Sequence, residues 1–140
     1  MFTQSSKSVW ILSILFFAGL FSCKAFAQDS SKVIKSIKCS HGDCSIEVQG
    51  NDVKELKLIF KSHMLLMHNV DLSDEQIDKL ITDGPAADNN PELKSITCPH
   101  NDGFKIMSKN EKELLFWFNG HVEIWHNETL TEAEIKKLIK

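Results

Sequence analysis

The sequence lacks an excess of positive charge, an apolar run long enough to span a bilayer, and the compact motifs of common catalytic and metal chemistry. Its 19 Asp and Glu outnumber 16 Lys and Arg, for a formal net charge of −3. That balance gives no electrostatic reason to expect nucleic acid or an anionic membrane as partner. Lys32, Lys35 and Lys38 make only a weak basic stripe, read as a solvated face. No tight Cys-X-X-Cys or His-Glu-X-X-His spacing is present, which excludes the commonest local zinc signatures. No nucleophile elbow or Gly-rich phosphate loop is present either. Asp102, His100 and Ser108 can be assembled into a triad only on paper. The expectation is a non-enzymatic protein.

What the chain does have begins at its N-terminus. Lys7 supplies a positive charge, and residues 9–21 (VWILSILFFAGLF) are apolar but short of the ~20 residues of a comfortable membrane span. Ala25-Phe26-Ala27 places small residues where a signal peptidase reads them, so cleavage is expected after Ala27 and the protein is expected in the periplasm or outside the cell. Leu20-Phe21-Ser22-Cys23 partly resembles a lipoprotein box, although the bulky Phe21 fits it poorly. Membrane attachment would follow only from lipidation at Cys23.

The rest is written twice. Lys35-Ser36-Ile37-Lys38-Cys39-Ser40-His41-Gly42-Asp43 matches Lys94-Ser95-Ile96-Thr97-Cys98-Pro99-His100-Asn101-Asp102. After a one-residue slip, Lys54-Glu55-Leu56 matches Lys112-Glu113-Leu114. Phe60, His63 and His68-Asn69 then match Phe118, His121 and His126-Asn127. Such self-similarity is the mark of a repeated unit. Between the copies, residues 83–92 are rich in Gly, Pro and Asn and read as a linker.

In the second copy, residues 114–118 (LLFWF) and 121–126 (HVEIWH) flank Asn119-Gly120. Two strand-like runs around Asn-Gly predict a hairpin, because a type I′ turn needs positive φ at both central residues. In the first copy, residues 53–67 fit two periods: Val53, Leu56, Phe60, His63, Met64 and Met67 would line a helix, whereas strands would turn at Lys61-Ser62. Strands are preferred there, by correspondence with the second copy. Ser73 with Gln76, and Thr131 with Glu134, form capping boxes that start short helices. The predicted fold class is α+β: two tandem β-meander-plus-helix modules, each β-β-β-β-α, packed as one pseudo-twofold domain. Residues 1–27 are the signal peptide, 28–82 the first module and 93–140 the second. Modules below roughly 60 residues are marginal alone, so the two are expected to complete each other's core.

The residues suited to chemistry are Cys39/His41 and Cys98/His100, two apart on strands and hence on one face. Thiolate and imidazole are good ligands for zinc or copper. In a hairpin, His121 and His126 would point to opposite faces, so only one of them can join Cys98 and His100, and His126, at the far end of its strand, is favoured. The predicted metal sets are Cys98, His100 and His126, and Cys39, His41 and His68, with Glu113 and Glu55 orienting the imidazoles of His126 and His68. A site shared between modules is an alternative. The segment His63-Met64-Leu65-Leu66-Met67-His68 suits monovalent copper. A bland reading competes throughout: Cys is commonly buried, and a strand His often only satisfies a carbonyl. An oxidising compartment would also permit a Cys39–Cys44 or a Cys39–Cys98 disulfide.

Two functions follow. One is an exported binding protein that holds a transition metal through Cys and His. The other is a metal-free interaction module, an inhibitor, adaptor or accessory piece of an envelope or secretion machine, with a protein partner. The aromatic crowd Phe116, Trp117, Phe118 and Trp125 would serve that partner or the contact between modules.

Overall fold

The computed structural model describes residues 33–86 and 89–140. The expected signal peptide, its cleavage site and Cys23 lie outside the described residues. The described chain runs β1 (Lys35–Lys38), β2 (Glu47–Gly50), α1 (Val53–His68), α2 (Asp74–Asp78), β3 (Thr82–Asp83), β4 (Lys94–Thr97), β5 (Lys105–Ser108), α3 (Glu111–His126) and α4 (Glu132–Lys136).

All five strands form one antiparallel sheet in the order β3-β1-β2-β5-β4. The two halves meet at its centre, where β2 pairs with β5 and Val48 opposes Ile106. This corrects the expectation of two tandem β-meander-plus-helix modules. The sheet is single and continuous, and each half adds only two full strands before a long helix.

The error lay in residues 53–67 and 114–126, expected as hairpins and found as the sixteen-residue helices α1 and α3. In α3 the buried positions are Glu113, Leu114, Trp117, Phe118, His121 and Val122, a helical stripe. A strand would have put Leu114, Phe116 and Phe118 on one face, yet Phe116 is 60% exposed. A glycine inside a helix costs ~1 kcal/mol relative to alanine. Burying side chains such as Phe118 and Leu114 contributes about 1.5–3 kcal/mol each, so the stripe outweighs Gly120. Both ends are closed by side chains and turns. Asn110 caps the α3 N-terminus by accepting from Lys112 N–H at 3.1 Å, and Asn127 ends it in the left-handed region. Asp52 and Asn69 do the same for α1.

α1 packs on β1 and β2, and α3 on β4 and β5, so both long helices lie against the sheet. Ile37, Ile46, Val48, Leu56, Phe60, Ile96, Phe104, Ile106, Leu114 and Phe118 form a shared core between them. The short helices carry the capping boxes seen in the sequence, and each adds one buried residue, Ile77 or Ile135.

Two turns position the chemistry. Between β1 and β2, Cys39 N–H bonds Ile46 O, and Cys44 N–H bonds His41 O across a turn with Gly42 at φ 54°. Between β4 and β5, Cys98 N–H bonds Phe104 O, with Asn101 and Gly103 at positive φ. Each turn therefore stands beside the C-terminal end of the helix that follows it.

Two candidate metal centres

In the first half, Cys39 and Cys44 come from the β1–β2 turn, and His63 and His68 from the last turns of α1. In the second, Cys98 and Asp102 come from the β4–β5 turn, and His121 and His126 from α3. Within each set of four, the potential ligand atoms all lie within 4.8 Å of one another. Cys39 Sγ is 3.4 Å from His68 Nε2, and Cys44 Sγ is 3.3 Å from His63 Nε2. Cys98 Sγ is 3.4 Å from His126 Nε2, which is 3.2 Å from His121 Nε2 and 2.8 Å from Asp102 Oδ2. Bonds of ~2.0–2.3 Å in a tetrahedron put neighbouring ligand atoms roughly 3.3–3.8 Å apart, close to these separations.

The histidines are oriented from the far half of the chain. His63 Nδ1 lies 3.1 Å from Glu113 Oε1 on α3, and His121 Nδ1 donates to Glu55 Oε1 on α1. At His121 the carboxylate on Nδ1 fixes the proton there and leaves the Nε2 lone pair facing the cluster, the arrangement common to metal-bound imidazoles. At His63 the carboxylate stands within ion-pair distance of Nδ1 without hydrogen-bond geometry. Glu113 is itself held by Ser108, whose hydroxyl donates to Oε2 at 2.8 Å. Burial opposes the charge on Glu113, but the contacts with His63 and Ser108 outweigh it and hold the carboxyl below its ordinary range.

Burial pushes the Cys44 thiol up to about 11, with Cys39 beside it adding to the effect. It pushes Cys98 up to about 12, with Asp102 adding. Asp102 is lowered despite its own burial, because Phe104 N–H, the Cys98 thiol and His126 all bond to it. His68 is lowered by burial and by the neighbouring His63 and His41. Without an ion both thiols hold their protons. A cation that replaces those protons would meet sulfur, nitrogen and oxygen atoms already gathered.

Of the residues singled out from the sequence, Cys39 and His68, and Cys98 and His126, are brought together. His41 and His100 stand outside the four-residue sets. His41 packs on His68 with ring centroids 4.5 Å apart, and His100 stacks on His126 at 4.1 Å and meets Glu128. Cys44, Asp102, His63 and His121 were not in the expected sets. The expected opposition of His121 and His126 fell with the hairpin, since both now come from one helix end. Glu113 and Glu55 do orient imidazoles, but those of His63 and His121 in the opposite half, not His126 and His68.

The signal that could have found the full sets is spacing. Eighteen residues separate Cys44 from His63, and eighteen separate Asp102 from His121. Placing the one-residue slip before Cys44 pairs Cys44 with Asp102 and exposes both sets. Neither of the alternative disulfides, Cys39–Cys44 or Cys39–Cys98, forms: Cys39, Cys44 and Cys98 are free thiols. The paper triad does not assemble, as Ser108 turns to Glu113, Asp102 to His121 and His126, and His100 to Glu128.

An open cleft of about 500 Å³ adjoins the first cluster, lined by Cys44, His63, His68, Lys109 and Glu113 among others. Among the described residues, no helix is long and apolar enough to cross a membrane. The chain is thus an α+β domain carrying two candidate metal sites built from Cys, His and Asp. No protein-family model matches it, and neither a curated protein nor a solved structure is found similar to it.

Proposed function

We propose that this protein is an exported, non-enzymatic metal-binding protein that holds one transition-metal ion, zinc or copper, in each half. The observation that carries the reading is the convergence of four donor atoms within 4.8 Å of one another in each half, with a carboxylate beside Nδ1 of His63 and hydrogen-bonded to Nδ1 of His121. Buried histidines with only a packing role have no need to converge with thiols at both places. The donor sets Cys₂His₂ and CysAspHis₂ combine thiolate, imidazole and carboxylate, ligands that suit zinc or copper. Export is supported by the pattern of residues 7–27 alone.

The test is elemental analysis of the purified, reduced chain after zinc loading and removal of free ion. Two equivalents are expected. His63→Ala and His121→Ala should each lose one, and the double variant both. Fewer than one equivalent in the wild type would overturn the reading.

A second reading, a protein-interaction module, draws support from an apolar groove of about 410 Å³ between α1 and α3. Leu58, Leu66, Phe116 and Ile124 line it and are exposed. Exposed apolar patches commonly mark partner surfaces. Binding of a hydrophobic dye that is lost in Leu66→Asp/Ile124→Asp, with metal content unchanged, is the outcome this reading expects.

A further inference from the structure

The two clusters occupy matching places but differ in chemistry at two positions. Cys44 in the first corresponds to Asp102 in the second, so a thiol is replaced by a carboxylate. Met64 corresponds to Val122 under the same offset, so a thioether is replaced by an alkyl group. Met64 Sδ lies 3.7 Å from Cys39 Sγ, at the edge of the first cluster, and both residues are buried. The first cluster therefore gathers three sulfur atoms and two imidazoles. The second has one sulfur, two imidazoles and one carboxylate, which is 26% exposed. Thiolate and thioether favour soft ions such as monovalent copper, whereas carboxylate and imidazole favour borderline divalent ions.

Resting on the reading of both clusters as metal centres, we propose that they take different metals. The Cys39/Cys44/His63/His68 cluster, with Met64 beside it, is the site for a soft ion of the monovalent-copper class. The Cys98/Asp102/His121/His126 cluster is the site for a borderline divalent ion of the zinc class. Cys44 and Asp102 are the residues that set the difference. The surroundings agree with this division. The open cleft reaches Cys44, His63 and His68 and gives an incoming ion access to the sulfur-rich cluster.

Divalent cobalt reports both sites at once, because its thiolate charge-transfer absorption scales with the number of bound sulfurs. The reduced full chain is loaded anaerobically with two equivalents of cobalt and then titrated with monovalent copper. The expected result is that the first equivalent of copper releases one cobalt and removes the multi-thiolate component. The single-thiolate cobalt should resist until copper is about tenfold more abundant, a gap of about 1.4 kcal/mol. Cys44→Asp should abolish the preference, and Asp102→Cys should make the second cobalt equally displaceable. Loss of both cobalt ions in parallel, or of the single-thiolate ion first, would overturn the proposal while leaving two metal centres standing. Failure to bind cobalt at all would instead overturn the reading on which it rests. If a variant does not fold, the order of displacement in the wild type decides alone.

Discussion

Glu113 on α3 lies 3.1 Å from Nδ1 of His63 on α1, so the second half of the chain orients an imidazole of the first half's cluster. Glu55 on α1 returns the relation to His121 on α3. Each long helix thus carries donors for one cluster and a positioning carboxylate for the other. The exchange makes a crossed prediction. Glu113→Gln should weaken metal binding at the Cys39/Cys44 cluster by about 10–100-fold, and Glu55→Gln should do so at the Cys98/Asp102 cluster. Competition with a chromophoric chelator, repeated in Cys39→Ala and Cys98→Ala backgrounds to isolate each site, measures both. Weakening confined to the half that carries the substitution would refute the crossed arrangement.

The free thiols set the alkaline behaviour of the metal-free protein. Cys44 and Cys98 rise from an ordinary 9.0 to about 11 and about 12 because burial disfavours the thiolate. Between pH 9 and those values the unfolded chain has lost protons that the folded chain retains. The associated stability is complete below pH 9 and drains away as pH climbs to 11 and 12. Glu113 and Asp102, both lowered, act in the opposite sense. Their contribution is present above about 4.5 and 3.8 respectively and is lost as acid protonates the folded carboxyls. Urea titrations of the metal-free protein across pH should show both limbs. Zinc loading should flatten the alkaline one, since the bound thiolates carry no proton there.

His41 and His100 separate the ligand sets from their surroundings. Their rings rest on His68 and His126 without entering either cluster. His41→Ala and His100→Ala should therefore keep the two equivalents of metal and change affinity by less than about tenfold, about 1.4 kcal/mol. Loss of a whole equivalent in either variant, seen by elemental analysis, would return that histidine to the ligand set.

Gly120 distinguishes the helix from a hairpin directly. It lies inside α3, and a β-carbon added there meets no heavy atom within 4 Å. Gly120→Ala should stabilise the protein by about 0.4–1 kcal/mol, because alanine gains helix propensity and restricts the unfolded chain. In a type I′ turn the same change would strain a residue held at positive φ and destabilise. Chemical denaturation of the two proteins gives the sign.

Much of the local structure was legible in the chain. The correspondence of Lys35-Ser36-Ile37 with Lys94-Ser95-Ile96 points to matching strands, and both lie in the sheet as β1 and β4. The boxes Ser73/Gln76 and Thr131/Glu134 mark the starts of α2 and α4, because capping is a contact among a few neighbouring residues. The helical stripe Leu56, Phe60, His63, Met64 is equally visible, but Asn119-Gly120 carries a strong local signal for a turn. A dipeptide reports the dihedral preference of two residues. Whether they turn or continue a helix depends on which flanking faces find a surface to bury them.

The sequence by itself determined the supply of donors, the matched segments and the caps, all of which are properties of residue type and short spacing. Tertiary structure decided the rest. Pairing β2 with β5 made one sheet broad enough to cover Leu114, Phe118 and His121 on one face of a helix. That packing then carried Glu55 and Glu113 across to the opposite halves. Contacts such as Glu55 with His121, 66 residues apart, have no signature in local spacing, because they exist only once two helices share a core.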